Sequence, residues 1–229
     1  MTLTRTFASV LFDVDGTLVD SNGAHASAWA SALREHGVRV DEAQVRPLIG
    51  MGGDKLLPAV ANLDEASSKG RAIARRKKEL FDDLLPRLQP TPGARALLEY
   101  LRNEHIDIVI ATSADDRDMD ALLRQAKLDD LIDKRASKSD AAESKPDPDI
   151  VCAGLALARS GPESTVMVGD TPYDIEAARR AGIPAIALRC GGYWSDGDLH
   201  GALCVLRDPQ ELLDQWRHAS GGPRAGRCD

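Results

Sequence analysis

Short apolar runs recur along the chain at residues 10–12, 106–111, 165–168, 185–188 and 203–206. Each is too short for a helix and rich in β-branched residues or leucine, so each predicts a buried strand. Helical patterns fall between them, over 93–104 ahead of the second run, 115–125 behind it, 147–159 ahead of the third and 173–181 behind it. Strand alternating with helix predicts an α/β fold whose parallel sheet is covered on both faces.

One stretch breaks that rhythm. From residue 22 to 88 the spacing is helical and no strand is predicted. The first helix there carries His25, Trp29, Leu33 and His36, and the last carries Ile73, Leu80, Phe81, Leu84 and Leu88 along one face. The segment Gln89-Pro90-Thr91-Pro92-Gly93 then ends the helix, because proline cannot continue it. The expected organisation is a discontinuous α/β domain, 1–21 and 89–218, interrupted by a helical cap domain, 22–88. Residues 219–229, with SGGPRAG, have little to bury and predict a flexible tail.

Composition narrows the possible functions. With 43% hydrophobic residues in 229, the chain can build a real core, which excludes disorder throughout. Its 29 Lys and Arg against 36 Asp and Glu give a net charge of −7, so there is no broad positive field and no nucleic-acid partner is expected. The basic run Arg71, Arg75, Arg76, Lys77, Lys78 reads as a solvated helix face, since Glu79, Asp82 and Asp83 follow it. No apolar stretch reaches the roughly 20 residues that span a bilayer, so no membrane partner is expected either. Cys152, Cys190, Cys204 and Cys228 form no C-x-x-C pair, and the five histidines lack a ligand spacing. Zinc chemistry is set aside and a reducing cytoplasm is expected. Oligomeric state is not legible.

The candidate chemistry lies where strands end. The first run leads straight into Asp13-Val14-Asp15-Gly16-Thr17, which puts two acids at the carboxyl edge of the sheet, where open α/β sheets bind ligands. Two such close carboxylates call for a cation or a shared proton, and Mg²⁺, with its preference for carboxylates plus substrate phosphate, suits them. Plain Asp-Gly turn chemistry is the alternative. The third run delivers Gly169-Asp170-Thr171-Pro172-Tyr173-Asp174, in which Asp170 is placed to join the same cation. Asp174 also fits an ordinary helix start with Thr171 as cap and Pro172 at the first position, and the two roles are compatible. The second run ends in Thr112 and Ser113, hydroxyls that can donate to phosphate or cap the next helix. Lys145 stands before a proline-started helix, where an ammonium adds a point charge for an anion.

These four segments together resemble the haloacid dehalogenase superfamily of phosphohydrolases, and the D-x-D-G-T and G-D-x-x-x-D motifs are specific to it. The resemblance spans nearly the whole chain. It implies a Rossmann-like core with a helical cap inserted after the first strand, and Mg²⁺ as cofactor. It also implies Asp13 as nucleophile and Asp15 as general acid and base. Thr112 and Lys145 would hold the phosphoryl group, and Asp13, the Asp15 carbonyl and Asp170 the cation, supported by Asp174. Gly16 and Ser113 join the expected substrate-binding set. Asp15 argues against carbon–halogen hydrolysis, whose enzymes usually lack an aspartate there.

The glycine-rich stretch Gly50-Met51-Gly52-Gly53-Asp54-Lys55 matches the family's cap specificity loop, so Met51, Gly52, Gly53 and Lys55 are candidate substrate contacts; a hinge-like turn is the alternative. His25 and Trp29 resemble the β-phosphoglucomutase and phosphoglycolate phosphatase branch, although a core histidine is the plainer reading of His25. Mutases of that branch usually carry an arginine where this chain has Gly52 and Gly53. The expected function is therefore a Mg²⁺-dependent phosphatase acting on a small phosphorylated metabolite through an aspartyl-phosphate. A phosphomutase is the alternative, and a non-catalytic phosphometabolite-binding protein ranks third.

Overall fold

The computed structural model describes residues 7–221. Six strands, β1 (Ser9–Phe12), β2 (Asp107–Ala111), β3 (Lys134–Ala136), β4 (Thr165–Gly169), β5 (Ala185–Leu188) and β6 (Val205–Leu206), form one sheet in the order β3-β2-β1-β4-β5-β6. All its pairings are parallel. This is an α/β, Rossmann-like fold. The order turns at β1, so the crevice at its carboxyl end is the topological switch point where such sheets bind ligands. Register fixes what meets there. Phe12 pairs with Ile110 on one side and Val168 on the other, so Asp13, Thr112 and Asp170 leave adjacent strands at nearly the same level.

Alternation along the strands divides the core in two. Val10, Phe12, Ile108, Ile110, Val166 and Val168 face α5 (Ala94–Asn103), α6 (Asp116–Gln125) and α9 (Pro209–Gly221). Leu11, Val109, Met167 and Ala187 face α7 (Asp149–Leu157) and α8 (Pro172–Arg180). A fully buried aliphatic side chain contributes about 1.5–3 kcal/mol, so these strand centres carry much of the fold's stability. Between β1 and α5 lie α1 (Asn22–Glu35), α2 (Glu42–Val45), α3 (Gly53–Ala61) and α4 (Ser68–Leu84). Trp29, Leu33, Leu56, Leu57 and Ile73 of these helices form a third, separate cluster.

Four local expectations need correction. Strand β3 went unpredicted because Lys134-Arg135-Ala136 is an edge strand whose first two residues are half-exposed and carry charge. At the opposite edge β6 holds only Val205 and Leu206, and Leu203, expected in that strand, is exposed. Helix α4 stops at Leu84, and Leu85–Arg87 make a 3-10 turn around Pro86, so Leu88 is buried but lies outside the helix. Residues 219–221, expected in the tail, continue the backbone of α9; residues 222–229 lie outside the described residues.

Candidate active site

The residues delivered by the strand ends converge. Asp13, directly after β1, is buried, and its backbone N–H donates to the Val168 carbonyl at 3.0 Å. Lys145 reaches in from the loop before α7 and is 1% exposed. Its Nζ donates to Asp13 Oδ1 at 2.6 Å and to Asp174 Oδ1 at 2.7 Å. Asp174 owes its position to the start of α8. Its Oδ2 accepts from the Thr171 backbone N–H at 3.1 Å and hydroxyl at 2.7 Å, while its own N–H donates back to Thr171 Oγ1, completing a capping box. Asp170 accepts from Thr17 Oγ1 at 3.1 Å and from Asn22 Nδ2 at 2.7 Å.

Asp13, Asp170 and Asp174 each offer a carboxylate oxygen within 4.8 Å of the others, and all three are buried. Burial raises the Asp13 carboxyl to about 7. Lys145 opposes that rise, and the charges of Asp174 and Asp15 add to it. Asp170 is raised well above the usual carboxylate range, first by burial and then by Asp174 and Asp13. Three buried acids share one ammonium, which bonds Asp13 and Asp174 but not Asp170, so negative charge is left uncompensated. A compact all-oxygen donor set with surplus negative charge fits a hard divalent cation such as Mg²⁺.

Backbone shape makes this crowding possible. Gly16 has φ +76°, and a Cβ there would fall 2.4 Å from Asp170 Oδ2 and 2.2 Å from Asn22 Nδ2. A Cβ on Gly191 would fall 1.7 Å from the same Asp170 oxygen. Only glycine fits either position.

Asp15 is engaged separately. Its Oδ1 accepts from Ser21 Oγ at 2.5 Å and lies 2.7 Å from His25 Nε2. Burial alone would raise the Asp15 carboxyl, but His25, Ser21 and Lys77 outweigh it and hold the group at about 2. His25 is lowered, mainly by burial, with Asp15 pulling the other way. A neutral imidazole that donates from Nε2 to an ionised Asp15 satisfies both groups. The ring also stacks on Phe81 at 4.0 Å with 13° between planes.

A cleft of about 160 Å³ opens above these groups. Of the expected site residues, Asp13, Asp15, Thr112, Ser113, Met51, Gly52 and Gly53 line it. Lys145, Asp170 and Asp174 lie beneath. Thr112 Oγ1 accepts from the Ala114 N–H at 3.2 Å, while Asp115, not a hydroxyl, caps α6. Gly16 shapes the Asp170 pocket and is not part of the wall. The structure does not bring Lys55 to the cleft; its Nζ donates to Glu143 at 3.0 Å and Asp147 at 2.6 Å.

The cleft also holds residues the sequence reading assigned elsewhere. Lys77 and Lys78 are not simply a solvated face: both line the cleft, and the Lys77 ammonium lies 4.9 Å from the Phe81 ring centroid and 5.6 Å from that of Trp29. Burial lowers Lys77 to about 8, with Asp15 resisting. The signal was present, since Lys77 is four residues from both Ile73 and Phe81 and therefore shares their buried face. His25 is buried, as its plain reading had it, and is also a hydrogen-bond partner of Asp15. Nothing local marked Ser21 or Asn22, whose partners are six and 148 residues away.

Comparison with known proteins agrees with this geometry. Residues 10–188 match the family model described as haloacid dehalogenase-like hydrolase. The chain is 31% identical over 229 residues to a phosphoglycolate phosphatase of Rhodospirillum rubrum, covering 95% of each. It is 29% identical over 210 residues to a phosphorylated carbohydrates phosphatase of Thermotoga maritima, covering 90% of each. A solved hydrolase from Pseudomonas syringae superposes with a TM-score of 0.86 at 29% identity, covering 93% of this chain and all of that one. With the match extending from β1 through β5 and so including every strand that feeds the acidic cluster, the chain belongs to the haloacid dehalogenase-like hydrolase family.

Proposed function

We propose that this protein is a Mg²⁺-dependent phosphatase that hydrolyses a small phosphorylated metabolite through an aspartyl-phosphate on Asp13. The observation that carries this reading is the buried Lys145 bridge between Asp13 and Asp174, beneath the cleft and beside Asp170. A carboxylate attacks phosphorus only when the phosphoryl charge is offset; Lys145 places one positive charge 2.6 Å from Asp13, and the surplus acids call for a cation to supply the rest. Asp13, Asp170 and Asp174, with the Asp15 carbonyl, would hold Mg²⁺, which when bound supplies further charge against the phosphoryl oxygens.

In this reading Asp13 forms the bond to phosphorus while Asp15 gives a proton to the leaving oxygen. His25, Ser21 and Lys77 favour the ionised form of Asp15, and an entering phosphoryl dianion would raise its affinity for that proton. The water that later attacks the aspartyl-phosphate would return its proton to Asp15. His25 and Ser21 orient the Asp15 carboxylate, and Thr112 and Lys145 hold the phosphoryl oxygens.

The size of the cleft favours a small substrate, in line with relatives named for phosphoglycolate and phosphorylated carbohydrates. Hydrolysis is favoured over a mutase by the relatives named as phosphatases; Gly52 and Gly53 offer no charge and Lys55 is occupied outside the cleft, so a second phosphate would have to rely on Lys77 or Lys78. The thiols of Cys152, Cys190 and Cys204, none of them in a disulfide, suit a reducing cytoplasm. The test is phosphate release from a panel of small phosphorylated metabolites with Mg²⁺ and with EDTA. Turnover should require the metal and fall by about 10⁴ or more in Asp13→Asn with folding unchanged; persisting turnover in that variant rules out Asp13 as nucleophile.

A further inference from the structure

Beyond the site itself, the loop that carries Lys145 is gripped along its length by the helical insertion. Ser144, next in sequence to Lys145, is buried. Its Oγ accepts from the Gly52 backbone N–H at 3.1 Å and donates to Asp54 Oδ2 at 2.9 Å. The Ser144 backbone N–H donates to the same Asp54 oxygen at 3.3 Å. A Cβ on Gly52 would fall 2.8 Å from Ser144 Cβ, so only glycine permits this approach. Lys55 adds ion pairs to Glu143 and Asp147, on either side of Lys145. Three residues of one turn, Gly52, Asp54 and Lys55, thus hold positions 143, 144 and 147, while Lys145 makes its two short bonds at the far end of its side chain.

We propose that Asp54, through Ser144, is a positioning residue for Lys145: the helical insertion sets the lysine against Asp13 and Asp174, so catalysis depends on a residue that never touches substrate. The physical reason is leverage. Lys145 has a long, flexible stem, and its Nζ meets both carboxylates only if its backbone is fixed. A loop held by one side of the cleft would otherwise let it drift, and a displacement of about 1 Å can cost about a hundredfold in rate. This inference rests on the phosphatase reading for its kinetic arm only.

The experiment compares wild type with Ser144→Ala, Asp54→Ala and Asp54→Asn in two measurements. One is Mg²⁺-supported hydrolysis of p-nitrophenyl phosphate, whose flat leaving group needs no specific grip. The other is the rate at which acetic anhydride acylates Lys145, followed by peptide mass spectrometry with Lys69 as internal reference. If Asp54 positions Lys145, Ser144→Ala and Asp54→Ala lower kcat about tenfold, with KM changed less than about threefold. They also raise Lys145 acylation several-fold, because the lysine leaves its buried place. Asp54→Asn, which keeps an acceptor oxygen, restores most of both properties.

Wild-type acylation of Lys145 in both alanine variants overturns the proposal, whatever the kinetics. Wild-type kcat with a raised KM overturns it too, since that pattern describes a contact that only closes the cleft. Absence of turnover in the wild-type protein would count against the phosphatase reading, and the acylation arm would still decide this one.

Discussion

At the scale of single residues, the site runs on unequal environments for two nearby acids. Asp13 sits among Asp174, Asp15 and one lysine and is pushed up to about 7, whereas Asp15 has two hydrogen-bond partners and is held near 2. These shifts act on stability in opposite directions. A raised folded-state value means the protonated form favours folding, so without metal the Asp13 contribution is lost as pH rises from about 4 to about 7. The Asp15 contribution is present above about 4 and lost as pH falls towards 2. In EDTA the unfolding free energy should therefore decline from pH 5 to pH 7, and Asp13→Asn should flatten that decline by on the order of 1–3 kcal/mol, read from denaturation profiles at each pH. Parallel pH profiles for the two proteins would show that Asp13 carries no such burden. A second residue-level expectation concerns Gly191→Ala, whose new Cβ displaces the Asp170 carboxylate. Its turnover should drop about a hundredfold or more, and raising Mg²⁺ should recover only part of it.

At the scale of elements, helix α8 does two jobs with one motif. Thr171 caps the helix and also holds the oxygen of Asp174 that Lys145 leaves free. Losing an N-cap costs about 1 kcal/mol. Thr171→Ala should lose that much in chemical denaturation and, in addition, need more Mg²⁺ for half-maximal activity. Thr171→Ser, which keeps the hydroxyl, should restore both. A stability loss with unchanged Mg²⁺ response would mean that Thr171 is a cap and nothing more.

For the whole molecule, the two walls of the cleft are tied by charge. Lys78 bonds Asp118 and lies 3.5 Å from Asp115, and Lys138 bonds Glu65 at 2.8 Å, both pairs joining the helical insertion to the α/β body. Partly exposed pairs are weak, on the order of 1 kcal/mol or less, and salt screens them. Lys78→Ala and Lys138→Ala should each raise KM about two- to fivefold with a smaller effect on kcat, and the wild-type KM should climb with ionic strength more steeply than that of the double variant. Equal salt dependence in both would indicate that these pairs do not hold the walls together. Saturating Mg²⁺ should also stabilise the fold by about 2.7 kcal/mol at a hundred times its dissociation constant, read as a rise in melting temperature.

How much of this was written in the chain follows from how local each signal is. Strands β1, β2, β4 and β5 were legible because their apolar runs are buried on both faces, and the acids that follow them inherit their place from the strand ends. The α8 cap was legible because its partners are three residues apart. Edge strand β3 was not, since one exposed side lets charged residues stand where apolar ones would be expected. The sequence alone determined the fold class, the chemistry of the acidic and lysine groups, and the edge of the sheet where they emerge. Tertiary structure alone decided that Lys55 turns away from the cleft and that Ser144 is held from the helical insertion. Those outcomes depend on which side chains meet across 90 or more positions, and packing and pairing at that range leave no period or spacing in the sequence to read.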